Sequence, residues 1–157
     1  MNDTTLNIPG IIAPPPVMYL TAILISLLMH FLYPLIISHH TMLLRSIGVV
    51  SGSASVMLVS YAFLTMRQAK TSPNPYALSA ALVTVGPFRF SRNPIYLAMT
   101  MLYLAVTFII NSSWPLFFLL PLQLLMHYGV IVREERYLES RFGDSYREYK
   151  FRVRRWW

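Results

Sequence analysis

Four long apolar runs, none containing Asp, Glu, Lys or Arg, limit how this chain can fold. They cover residues 17–37, 47–66, 94–111 and 114–132. A helix needs about 20 apolar residues to cross the hydrocarbon core of a bilayer, with about 17–25 tolerated. Inside lipid the backbone N–H and C=O groups find no water, so each segment has to satisfy them internally, as a helix does. The expected fold is all-α, a polytopic membrane protein with four transmembrane helices. Composition agrees: 55% of the residues are hydrophobic and 12% charged, against about 25% charged in soluble domains. At 157 residues the chain is one domain in size. We divide it into a lead at 1–16, two helices within 17–66 and a polar core region at 67–157. Pro94 suits a first helical turn, whereas Pro121 is interior to its run and is expected to kink it. Residues 111–114 are all that separates the last two runs, which makes them an antiparallel hairpin.

The charges sort themselves by side. Of 13 Lys and Arg, Arg45 alone falls outside residues 67–92 and 133–155. The positive-inside rule then puts both termini and the long second loop in the cytoplasm. Membrane topology accounts for the net charge of +7 better than nucleic-acid binding does. No cysteine is present, which excludes disulfides and thiolate metal sites. His39-His40 has no further ligands at metal spacing, so no metal site is expected. The first residues lack a basic n-region and carry Asp3 and several prolines, unlike a signal peptide, and are expected to form a poorly ordered or extended lead. There is no dinucleotide-binding glycine motif, P-loop or nucleophile elbow.

Several polar residues stand out against this background. Gly48, Gly52 and Ser55 give a small-xxx-small stripe, whose ordinary meaning is close helix packing. Gln123, His127 and Glu134 fall at i, i+4 and i+11, one face of a continuous helix. Polar groups inside a membrane are costly and usually face a bundle interior or wet cavity. Glu134 and Glu135 sit where the fourth run ends, among basic residues. The loop before the third run holds Pro73, Pro75, Gly86 and Pro87, too patterned for a plain connector. Arg92 and Asn93 come directly before Pro94, where helix N-terminal amides attract acceptors; the plainer reading is Asn93 as a cap and Arg92 snorkelling. From Glu134 to Arg155 charges alternate with Tyr137, Leu138, Phe142, Tyr146, Tyr149 and Phe151, a pattern for an interfacial helical segment interrupted at Gly143. Trp156 and Trp157 suit the headgroup level.

Residues 82–84, then 86–96 (Gly-Pro-Phe-Arg-Phe-Ser-Arg-Asn-Pro-Ile-Tyr), 134–138 (Glu-Glu-Arg-Tyr-Leu), 142–143 and 146–149 resemble the integral-membrane methyltransferases. These comprise the isoprenylcysteine carboxyl methyltransferases and the related phospholipid methyltransferases. The similarity covers about residues 68–155. It implies S-adenosylmethionine bound in a cytoplasmic pocket capped by the loop and the last segment. Leu82, Val83 and Phe88 would line that pocket. Asn93, Pro94, Ile95 and Tyr96 would hold the cofactor, and Glu134 and Glu135 would receive its polar groups. Arg92 and the basic tail would orient an anionic acceptor, and Arg92, Glu135 and His127 are the candidate catalytic residues. The acceptor it implies is lipid-like, foremost the carboxylate of an isoprenylcysteine-like molecule and otherwise a phospholipid amine. An amine has to lose a proton, for which His127, Glu134 and Glu135 are the available bases. Asn93 replaces the histidine of the prenylcysteine branch, and Ala98 stands where many members have glycine. Pro94 separates the pattern from that of the related sterol reductases. A non-catalytic lipid-binding bundle is the competing class, and the sequence carries no signal for oligomeric state.

Overall fold

The computed structural model describes residues 9–74 and 78–156; Asp3, Pro75 and Trp157, each singled out above, lie outside the described residues. α1 runs Pro15–Leu32 and α2 Thr41–Gln68. α3, Pro94–Ile110, follows a long loop that contains a 3-10 turn at Gly86–Arg89. α4, Trp114–Met126, passes through a π turn at His127–Ile131 into α5, Val132–Phe142, so the three form one continuous rod. Gly143, at φ 54°, breaks the rod and starts α6, Asp144–Arg152. Only glycine adopts such a conformation without strain. The described residues are all-helical apart from an isolated bridge between Ile36 and Ser112.

Among the described residues three helices are long and apolar enough to cross a membrane: α1, α2 and the rod Trp114–Phe142; α3 is a shorter apolar helix of 17 residues. The boundaries differ from the apolar runs for local reasons. α1 stops at Leu32, well before residue 37, because Pro34 drives Tyr33 out of the helical region, to φ −138° and ψ 86°. α2 starts ahead of its apolar run, carrying Arg45 and Ser46 in its first turns. The rod continues as helix through Pro121, which has no N–H to give the Phe117 carbonyl, and its π turn follows at His127–Ile131.

α2 packs mainly on α3, and α1 on α4. The first contact is made by the small-residue stripe. A Cβ on Gly48 would lie 2.7 Å from Ile109 Cγ1 and 2.8 Å from the Ala105 carbonyl oxygen, so only glycine allows this approach. Ser55 Oγ donates to the Ala98 carbonyl at 2.7 Å, and Ser51 Oγ to that of Met101 at 3.1 Å. Tyr19, Tyr103, Leu122 and Met126 form the interior between α1, α3 and α4. Outward faces are apolar too: Leu20, Leu24 and Leu28 on α1, Val50 and Met57 on α2, and Phe117 and Leu120 on α4 are all exposed. So much exposed apolar surface marks contact with lipid or another protein.

The bundle's two ends differ. At one, Asn111 takes a left-handed conformation and stitches two turns together. Its Oδ1 accepts from the amides of Ile37 and Ser38, and its Nδ2 donates to the Ser38 carbonyl at 2.7 Å. At the other end residues 9–14, ahead of α1, are bonded to the rod. Ile12 N donates to the Gly129 carbonyl at 3.1 Å, Arg133 Nη1 donates to the Gly10 carbonyl at 2.9 Å, and Ile11 is buried. Of the expected poorly ordered or extended lead, residues 9–14 are non-helical and held in place, because the π turn offers them a carbonyl and a glycine to lie against.

Candidate active site

The loop between α2 and α3 is held to the bundle at both ends. Thr71 Oγ1 donates to the Ala81 carbonyl and accepts from the Ala81 amide, at 3.2 and 2.8 Å, which closes the first part on itself. Gly86, at φ 61°, lies against Thr65 of α2, where a Cβ would come within 2.7 Å of Oγ1. Tyr149 of α6 donates to the Phe88 carbonyl at 2.7 Å. Ser91 Oγ then accepts from the Asn93 amide at 3.1 Å, and Pro94 opens α3.

These constraints enclose a cavity of about 200 Å³ at the packed end of the bundle. Leu82, Val83 and Phe88 line it from the loop, Asn93, Pro94, Ile95 and Tyr96 from the start of α3, and Glu134 and Glu135 from α5. Every residue implied to hold the cofactor thus reaches one space. The walls include residues that sequence reasoning missed: Phe63 and Met66 near the end of α2, Pro9, Pro15 and Pro16, and Tyr146 and Tyr149 of α6. The two tyrosines are recognisable only as parts of an aromatic pattern, and the prolines carried no signal beyond breaking a helix.

Within the cavity the two adjacent acids have different surroundings. Glu134 Oε2 accepts from Tyr96 Oη at 2.9 Å and has no cationic partner among the described residues. Glu135 is buried between two guanidiniums. Arg92 Nη1 lies 3.0 Å from its Oε1, and Arg155 closes a fork on both oxygens at 2.9 and 2.8 Å. Bidentate pairs of this kind are strong and directional. Two guanidiniums thus face one carboxylate, and the Glu134 acid stands beside it in the same cavity. The Arg92 side chain is only 9% exposed, and its Nε is buried without a hydrogen-bond partner among the described residues. Tyr146 Oη, 3.5 Å from Arg92 Nη1, is pushed up to about 12 by burial and then by the Glu135 charge, so it remains a phenol at neutral pH. Burial likewise raises Tyr149.

Three expectations change. Asn93 makes no capping hydrogen bond, and its Nδ2 donates instead to the Arg155 carbonyl at 3.2 Å. Arg92 turns inward to Glu135 and does not snorkel. Gln123, His127 and Glu134 do not act as one face. Gln123 donates to Thr100 Oγ1 at 2.9 Å, deep between α1, α3 and α4. His127 does not line the cavity; its Nδ1 lies 3.3 Å from Arg155 Nη1, behind the ion cluster. The π turn lies between His127 and the acids, and its i→i+5 bonds take up one residue more than an α turn, which shifts Glu134 out of register with Gln123 and His127.

Comparison with known proteins agrees with this geometry. A family model described as phospholipid methyltransferase matches residues 43–145. A protein of Haemophilus influenzae described as uncharacterized is 42% identical over 62 residues, which is 40% of this chain and 98% of that protein. No solved structure matches. The family match takes in the loop, the start of α3 and both glutamates, and the chain belongs to the phospholipid methyltransferase family.

Proposed function

We propose that the protein transfers a methyl group from S-adenosylmethionine to a membrane-partitioned acceptor, with the cofactor held in the cavity between the loop, α3 and α5. The observation that carries this reading is the meeting of Tyr96 and Glu134 across that cavity, 2.9 Å apart. It brings the proline-started helix and the acid at the end of the apolar rod to one place. The lining fits the molecule in kind. Leu82, Val83 and Phe88 offer an apolar wall for a flat ring, and Glu134 offers a carboxyl group with no cationic partner among the described residues for hydroxyl or ammonium donors. When bound, the cofactor supplies an electrophilic methyl on sulfur, open to in-line displacement. The side chains have mainly to orient and to exclude water, and orientation in such reactions contributes about 7–11 kcal/mol.

The inventory of bases favours a carboxylate acceptor such as that of an isoprenylcysteine-like molecule. A carboxylate needs no base. Glu135 is neutralised by Arg92 and Arg155, and His127 lies outside the cavity, so a phospholipid amine would have only Glu134 to take its proton. In this reading α3 is a fourth span, and the cavity, both chain ends and the basic tail face the cytoplasm.

Thermal unfolding in detergent with and without S-adenosylhomocysteine tests the cofactor before the acceptor is identified. The protein is expected to gain several degrees with the ligand, and Glu134→Ala is expected to lose most of that gain. No shift in the parent protein, together with no transfer of labelled methyl to prenylcysteine analogues or total lipid, would leave the non-catalytic bundle as the better description.

A further inference from the structure

Arg92 and Asn93 reach the cavity from the loop, with Ser91 just before them, and Glu135 reaches it from α5. One residue outside the cavity bonds to both groups. After α6 the chain becomes extended at Val153, φ −119° and ψ 127°, and lies along the loop. Arg92 N donates to the Arg154 carbonyl at 3.0 Å. Ser91 Oγ and Asn93 Nδ2 both donate to the Arg155 carbonyl, at 3.1 and 3.2 Å. The guanidinium of that same Arg155 holds both oxygens of Glu135, and Glu135 in turn holds Arg92.

Each bond sets an orientation. A backbone carbonyl only accepts, so the Asn93 amide must present its nitrogen to Arg155, which leaves Oδ1 as the end for a donor. A fork on both oxygens fixes the Glu135 carboxylate plane in a way that a single cation does not. Arg92 is thereby drawn inward, with its Nε enclosed and unpartnered. Arg155 itself does not line the cavity, and it lies beyond the residues that the family model matches.

We propose that Arg155 is a positioning residue, a latch that fastens residues 153–155 across both halves of the site and orients Asn93 through its carbonyl and Arg92 through Glu135. The latch is a property of the ligand-free chain; its effect on the cofactor rests on the reading above. The two parts separate experimentally.

The chain has three tryptophans, and Trp156, next to the latch, packs against the interior. In a Trp114→Phe, Trp157→Phe background Trp156 reports on the segment without any ligand. Arg155→Ala is expected to red-shift its emission and to raise acrylamide quenching about twofold, as a released segment gains solvent. The second measurement is the affinity for S-adenosylhomocysteine by calorimetry, well below the unfolding temperature. Arg155→Ala is expected to weaken it about tenfold and Arg155→Lys about threefold, since lysine restores the charge without the fork. In a Glu135→Gln background Arg155→Ala is expected to add less than about twofold, because the partner it acts through is already neutral. Unchanged Trp156 emission in Arg155→Ala overturns the latch. An affinity loss of the same size in both backgrounds overturns the route through Glu135. Should Arg155→Ala not fold, parent-like affinity in Arg155→Lys overturns the need for the fork. A Trp156 response in a protein with no affinity for the ligand supports the latch and rejects the cofactor reading.

Discussion

Glu134 and Glu135 are the same residue type one position apart, and their neighbours give them different work. Glu135 is consumed by Arg92 and Arg155, whereas Glu134 meets only a phenol among the described residues. Tyr96→Phe tests that single contact. A hydrogen bond to a charged group contributes about 1.5–3 kcal/mol, so the variant is expected to melt lower in detergent and to bind S-adenosylhomocysteine several-fold more weakly. Unchanged melting and affinity would mean that Glu134 is oriented by something else. Much of this was legible from residues 86–96 and 134–138, because each stretch is local and carries its pattern in its own spacing. Arg155 was not legible: eight cations in the tail share one explanation in topology, and nothing in their order distinguishes the one that reaches Glu135. His127 was misplaced for another reason, since its assignment extended α periodicity through a π turn that no sequence pattern marks.

At the level of elements, the contact between α2 and α3 rests on Gly48 and on hydroxyls bonded to the neighbouring backbone. Gly48→Val drives side-chain atoms into Ile109 and the Ala105 carbonyl. Overpacking of this kind costs about 1–3 kcal/mol, to be seen as a lower midpoint in thermal unfolding, with Gly52→Ala closer to neutral because its nearest neighbour would be at 3.4 Å. A Gly48→Val midpoint equal to that of the parent would show that the helices part easily there. The stripe was readable because close packing needs small residues at a fixed period. The helix limits were less so: α1 is shorter than its apolar run through the backbone preference ahead of Pro34, and α2 is longer because polar residues are tolerated beyond the hydrocarbon.

For the whole molecule, the absence of cysteine makes the chain its own background for labelling. His39 lies at the stitched end and Asp144 at the cavity end, and both are exposed. His39→Cys and Asp144→Cys are expected to react with a membrane-impermeant maleimide from opposite sides, Asp144→Cys from the cytoplasmic one. Labelling of both from one side would refute the four-span topology. The stitch made by Asn111 has a mechanical consequence as well. With α1 on α4 and α2 on α3, the turns tied together at that end fix how the two pairs set out side by side. Their far ends are the ones that border the cavity.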